Sequence, residues 1–280
     1  MTLLTSLLLL AAVAAPQSQT APAVESTALP SGEAGAKARL ESSPRHGEFA
    51  AVAVPGSEVP VQSWVVYPER KDKAPVVIVI HEIFGLTDWI RSVADQLAAD
   101  GFIAVAPDLL SGKGPGGKGT EALSGRDEAV KLVRGLDREE VRTRLEAVRA
   151  WARRLPAADG RSAAIGFCWG GAVSFSWAAS APDLGAAVVY YGTSPDAAQL
   201  GSIATPVLGL YGSDDERVNA TIEPARLAIG SKAVYETEIY EGAGHGFLRA
   251  QDGREGANAA AAAAAWPRTI AFLRKHTGGS

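Results

Sequence analysis

Five short stretches of this chain, Val76–Ile80, Phe102–Ala106, Ser162–Ile165, Ala186–Tyr191 and Val207–Tyr211, are apolar almost throughout. A strand with one face in water alternates apolar and polar residues, so strands without alternation have both faces covered. Between them lie segments with helical spacing: Asp88–Ala99, Arg138–Leu155, Gly171–Ala179 and a shorter one near Pro224–Ile229. In the second of these, Val141, Leu145, Val148, Trp151 and Leu155 recur at intervals of three and four and mark one apolar face. Further strands are expected at Phe49–Val54, Gln62–Tyr67 and Tyr235–Tyr240. The first two are joined by too few residues for a helix, which predicts an antiparallel edge. The whole pattern predicts a single-domain α/β fold, a mostly parallel central sheet of about eight strands flanked by helices.

The N-terminal segment departs from this pattern. Leu3 to Val13 is a continuous apolar run, too short to span a bilayer, and Ala12-Val13-Ala14 fits an A-x-A cleavage site. Residues 1–15 are therefore read as a signal peptide. The mature chain is then exported to the periplasm or secreted, with no stable membrane span; an uncleaved chain would be cytoplasmic. Residues 16–46, rich in Ala, Ser, Pro and Gly without period, read as a linker, and 47–280 as the folded domain. Asn258–Ala265 is almost pure alanine and predicts a helix continuing through Ile270 and Leu273, kinked or restarted at Pro267.

Charge and cysteine usage exclude several function classes. Lys plus Arg number 27 against 31 for Asp plus Glu, a formal charge of −4, which gives no basic excess for binding nucleic acid. The single cysteine, Cys168, rules out an internal disulfide or a cysteine-based zinc cluster. No His-x-x-x-His spacing occurs, so neither metal nor cofactor is expected. A monomer is expected in preference to an obligate oligomer. Gly112–Thr120 resembles a phosphate-binding loop, but Gly119 stands where a hydroxyl should follow Lys118, and Pro115 removes a cradling N–H. The loop reads instead as a lid at the mouth of a site.

Chemistry concentrates where strand Ser162–Ile165 runs into Gly166-Phe167-Cys168-Trp169-Gly170-Gly171 and then a helix. This is the spacing of a nucleophile elbow, with cysteine in place of the commoner serine. The turn is so tight that side chains two residues from the nucleophile would collide, hence glycine. The thiol then stands at the positive end of the following helix, which favours a thiolate. In an α/β-hydrolase the acid and histidine follow in that chain order, after later strands. Here Val207–Tyr211 is followed by Gly212-Ser213-Asp214-Asp215, and the last strand by Gly242-Ala243-Gly244-His245. Asp214 and Asp215 compete for the acid's role, and the G-x-x-D spacing favours Asp215. His245 is the candidate base and the carboxylate orients its ring. Glu82, after strand Val76–Ile80, falls at the same sheet edge, and His81 beside it is expected to make a structural hydrogen bond.

Gly166-Phe167-Cys168-Trp169-Gly170-Gly171, His81-Glu82-Ile83-Phe84-Gly85 and Gly244-His245-Gly246-Phe247-Leu248-Arg249 together resemble the dienelactone hydrolase family, from about Gly47 to the C-terminal helix. The resemblance implies a hydrolase acting on a small ester or lactone through a Cys168–His245–Asp215 triad and an acyl-thioester. It implies that Glu82 accepts a hydrogen bond from the resting thiol until substrate displaces it, after which Cys168 pairs with His245. It places the oxyanion hole at the backbone N–H groups of Ile83 and Trp169, and a substrate carboxylate on Arg249. A second family arginine is expected just after Pro107-Asp108, but the chain has Gly112 at the aligned position, with Lys113 and Arg126 as possible substitutes. A neutral ester or lactone is then expected to fit better than an anionic one. The alternatives are a general carboxylesterase or thioesterase without dienelactone preference, and a non-catalytic binding protein on the same fold.

Overall fold

The computed structural model describes residues 28–278. Its strands are β1 (Gly47–Val52), β2 (Val61–Val66), β3 (Ala74–Ile80), β4 (Ile103–Pro107), β5 (Ala158–Phe167), β6 (Ala187–Tyr190), β7 (Val207–Gly212) and β8 (Tyr235–Tyr240). All belong to one 8-stranded sheet in the order β1-β2-β4-β3-β5-β6-β7-β8. Pairing is parallel from β4 across to β8. The antiparallel edge is present as the sequence predicts, β1 on β2 and β2 on β4. The helices are α1 (Ala36–Glu41), α2 (Asp88–Ala99), α3 (Arg126–Arg134), α4 (Arg138–Ala152), α5 (Trp169–Ser180), α6 (Ala197–Leu200), α7 (Glu216–Asn219), α8 (Ile222–Ile229) and α9 (Ala257–Thr277). This is the α/β-hydrolase fold.

Strand β3 shows why the apolar runs do not alternate. Every residue from Ala74 to Ile80 is buried. Val77 and Val79 pack with Trp89, Val93 and Leu97 of α2 and with Trp266 of α9. Val76, Ile78 and Ile80 pack on the opposite face with Leu145 and Val148 of α4 and Phe175 and Trp177 of α5. Each such aliphatic side chain contributes about 1.5–3 kcal/mol when removed from water. The alanine tract serves the same end. Ala261, Ala262 and Ala265 are buried, so small side chains bring α9 close to the sheet, and the helix carries Pro267 without ending there. β8, at the parallel edge of the sheet, is only half buried, and Arg268 of α9 pairs with its Glu236 and Glu238.

The N-terminal expectation needs correction. Residues 1–27, comprising the expected signal peptide and the start of the expected linker, lie outside the described residues. The remainder of that linker is folded. A 3-10 turn at Glu33–Gly35 leads into α1, which buries Ala36 and lies against α2. Arg39 and Arg45 both bond Asp95 of α2, at 3.2 and 2.6 Å. These contacts rest on single polar side chains and leave no apolar period to read. Among the described residues no helix is long and apolar enough to cross a membrane.

Candidate active site

β5 delivers Phe167 into the core and turns sharply at Cys168, whose φ of 54° is positive. A non-glycine residue held there costs about 1–3 kcal/mol, sustained by the surrounding structure. Cys168 N–H donates to Tyr190 O at 3.0 Å, and its carbonyl accepts from Ala172 N–H at 3.1 Å, opening α5. The glycine requirement is as the sequence predicts. A Cβ on Gly166 would strike the carbonyl of Gly170, and one on Gly170 would strike the carbonyls of Ile80 and His81. Helix α5 can approach β5 and the end of β3 at the elbow only because both positions lack side chains.

His245 reaches the site from the loop after β8, and its Nε2 lies 3.1 Å from Cys168 Sγ. On the other side of the ring, Nδ1 lies 2.5 Å from Asp215 Oδ2. An ionised carboxylate only accepts, so Nδ1 carries the proton toward Asp215 and Nε2 faces the sulfur. Burial works against charge on His245, but the hydrogen bonds to Asp215 and Cys168 outweigh it and hold its pKa at about 10. The two aspartates separate cleanly: Asp215 is 8% exposed against the histidine, while Asp214 turns outward to Arg254. Their shared loop after β7 therefore points one carboxylate inward and one out.

His81 is structural, as expected. Its Nε2 accepts from Leu109 N–H at 3.3 Å and its Nδ1 donates to Glu82 O at 2.7 Å. Full burial pushes its pKa down, so the ring is neutral and the tautomer defined. It stacks on Trp169, with ring centroids 5.5 Å apart, bracing the first residue of α5. The Gly112–Thr120 loop is held in place: Asp108 accepts from Thr120 N–H and Oγ–H, both at 2.7 Å. Thr120 Oγ1 also accepts from Leu86 N–H at 3.0 Å, which ties the loop to the turn after Glu82.

Glu82 and Arg249 are arranged differently from what the resemblance implies. Glu82 is 3% exposed and accepts from Arg249 Nε at 2.7 Å. The thiol faces His245 and not Glu82, because a guanidinium is the stronger partner for a buried carboxylate. Burial raises the pKa of Glu82, with Arg249 opposing that shift. Arg249, expected to be open to substrate, also donates from Nη1 to Glu33 Oε2 at 2.9 Å. Glu33 in turn pairs with Arg126. Of the suggested substitutes for a second arginine, Lys113 is engaged with Glu140 at 2.8 Å, and Arg126 lies beside Phe84, 4.8 Å from the ring centre.

Glu33 and Tyr191 belong to the site although the sequence did not single them out. Tyr191 follows the last residue of β6 with φ of 40°, and its ring meets the edge of His245 with centroids 5.2 Å apart. Its buried hydroxyl has no protein partner among the described residues. Its position one residue past a central parallel strand was the available signal. Glu33 offered none, being one acid in a segment of linker composition. A groove of about 840 Å³ runs along α5 between α4 and α6, beginning at Trp169 and walled by Val141, Val173 and Trp177; neither Cys168 nor His245 lines it. No cluster of potential metal ligands occurs among the described residues.

Residues 61–277 match the sequence model of the dienelactone hydrolase family. A carboxymethylenebutenolidase of Pseudomonas putida is 34% identical over 214 residues, covering 72% of this chain and 86% of that protein. A Salmonella typhimurium relative is 33% identical over 273 residues, covering 90% of this chain and 98% of its own. Among solved structures, a Klebsiella pneumoniae protein assigned to the dienelactone hydrolases superposes with a TM-score of 0.72 at 29% identity, covering 82% of this chain and 99% of that one.

Proposed function

Since the chain belongs to the dienelactone hydrolase family, and so is a hydrolase of ester or lactone bonds, we propose that it works by covalent catalysis through Cys168, with His245 as base and Asp215 as its orienting acid. The observation that carries this reading is the line of contacts from Asp215 Oδ2 through His245 to Cys168 Sγ, 2.5 and 3.1 Å, at the end of β5. The thiolate attacks the carbonyl carbon, and the carbonyl oxygen becomes an oxyanion. We assign the N–H groups of Ile83 and Trp169 to receive it. Trp169 opens α5, where the first N–H groups of a helix have no acceptor within it and the dipole is positive. Collapse of the tetrahedral adduct breaks the C–O bond, and His245 gives its proton to the departing oxygen. The neutral imidazole then takes a proton from water, which attacks the thioester; the acid is released and the thiolate restored.

The sulfur already faces His245 while Glu82 is engaged by Arg249. This is the state the family resemblance places after the thiol has left Glu82. A second reading, a broader esterase favouring neutral substrates, is supported by Gly112 at the position of the second family arginine and by the two carboxylates already on Arg249. The test is the initial rate with a dienelactone and with p-nitrophenyl acetate, for the full chain and for Cys168→Ala. At least one substrate should be turned over, with a loss of at least about 10³-fold in the variant. Activity surviving the substitution would overturn the covalent mechanism.

A further inference from the structure

The cluster next to the triad is a closed set of ionic contacts that ends in a residue contributed from far away in sequence. Glu82 is deeply buried, Arg249 bridges from it to Glu33, and Glu33 bridges to Arg126. Both guanidiniums lie against one ring, their Cζ atoms 5.3 Å (Arg249) and 4.8 Å (Arg126) from the centre of Phe84. Phe84 sits two residues after Glu82 in the strand β3 turn, and the Arg249 guanidinium lies against Gly246, beside the catalytic histidine. With all four groups ionised, two carboxylates balance two arginines. A ligand carboxylate entering beside Glu33 would leave the cluster with a net negative charge, whereas one entering in its place would leave it neutral.

We propose that Glu33 is a built-in carboxylate ligand for Arg249 and Arg126, and that by occupying them it sets the enzyme against anionic esters and lactones and toward uncharged ones. The proposal rests on the reading of Cys168 as the group that substrate must reach. Glu33 is held on this spot by backbone contacts. Its N–H donates to Arg249 O at 2.9 Å. Gln251 Nε2 donates to Pro30 O at 2.9 Å, and Trp89 Nε1 to Ser31 O at 3.1 Å. A carboxylate tethered this way presents itself at an effective concentration in the millimolar range or above, so a free anionic substrate competes at a disadvantage. Yet its side chain is 32% exposed and that of Arg126 56%, so the outer end of the cluster is open to solvent and an incoming anion can meet it. Arg249, 20% exposed, and Glu82, 3% exposed, form the fixed inner end.

The experiment compares the full chain with Glu33→Gln, a change that removes the charge and keeps the shape. The first readout is the ratio of kcat/KM for p-nitrophenyl hemisuccinate over p-nitrophenyl acetate. The second is the ratio of alkylation rates of Cys168 by iodoacetate, an anion, over iodoacetamide, which is neutral; with one cysteine in the chain every adduct reports this site. Both ratios should rise about tenfold in the variant and shrink toward the parent's in high salt. Arg126→Gln in the Glu33→Gln background should take back part of the gain. The urea-denatured chain supplies the reference alkylation ratio, so an unfolded variant is recognised by matching it, and the comparison is then repeated with Glu33→Ser. Two folded variants with both ratios unchanged overturn the proposal while leaving the hydrolase reading intact. If the parent cleaves neither ester nor a dienelactone but the alkylation ratio rises, the role of Glu33 in excluding anions stands and the covalent mechanism falls.

Discussion

Two sets of side chains meet at the C-terminal edge of the sheet and are held by different means. The triad residues sit where β5 and β7 end and where the loop after β8 returns. Each is fixed by local backbone: an elbow with positive φ at Cys168, a tight turn at Asp215, a glycine-flanked loop at His245. The ionic cluster of Glu82, Arg249, Glu33 and Arg126 has only one member, Glu82, directly after a strand of the parallel sheet. The others come from a loop, from the folded N-terminal strap of residues 28–46 and from the start of α3, and long side chains close the gaps. The first set owes its geometry to the sheet edge, and the second joins distant segments, with Glu33 placed by backbone contacts and the gaps closed by charge.

Asn substitutions in the loop after β7 give the sharpest break. Asp215→Asn should lower kcat for p-nitrophenyl acetate by about 10³–10⁴-fold, since the amide favours the wrong tautomer of His245. Asp214→Asn, changing a carboxylate that only meets Arg254 at the surface, should stay within about threefold. Equal losses would erase the distinction between the inward and the outward aspartate. For the ionic set, Arg249→Gln leaves Glu82 buried and unpaired and should lower stability by about 3 kcal/mol in urea unfolding. Adding Glu82→Gln should recover part of it. Arg254→Gln, at an exposed pair, should cost no more than about 0.5 kcal/mol.

A further expected effect concerns pH. His245 is held at about 10 against an ordinary 6.5. Its imidazolium therefore contributes stability fully below about pH 6.5 and loses it as pH rises through about 10. The melting temperature of the parent should exceed that of His245→Gln most near about pH 6, and the gap should close toward about pH 10. A gap that widens with pH would contradict the ion pair.

The same division explains what the sequence made legible. All eight strands and α2, with its bounds at Asp88 and Ala99, could be read because both faces of each central strand are covered and each helix buries one face. Cys168 and His245 were legible because an elbow and a glycine-rich loop need particular residues at particular steps. Asp215 required a choice that only the direction of its side chain decides. α3, carrying Arg126, passed unnoticed because only Ala129 and Val133 of its residues are buried, too few to show a period. The strap escaped for a related reason. Apart from Leu29 and Ala36 against the core, its contacts are single hydrogen bonds and ion pairs to partners far along the chain, and no local pattern records them. Glu82 was placed at the right edge, but its partner was not, because which of two candidate groups holds a carboxylate depends on what else reaches it.

The strap also imposes an order of events on the living chain. Glu33 is made 216 residues before Arg249, and Pro30 waits for Gln251. Before the loop after β8 is made, α1 can already lie against α2, but Glu33 and Pro30 still lack Arg249 and Gln251. Closing so long a loop is slow relative to local pairing, though its entropic cost grows only weakly with length. The contacts of Glu33 and Pro30 with the loop after β8 are thus among the last to form, and the site acquires its full set of charges only when synthesis has nearly finished.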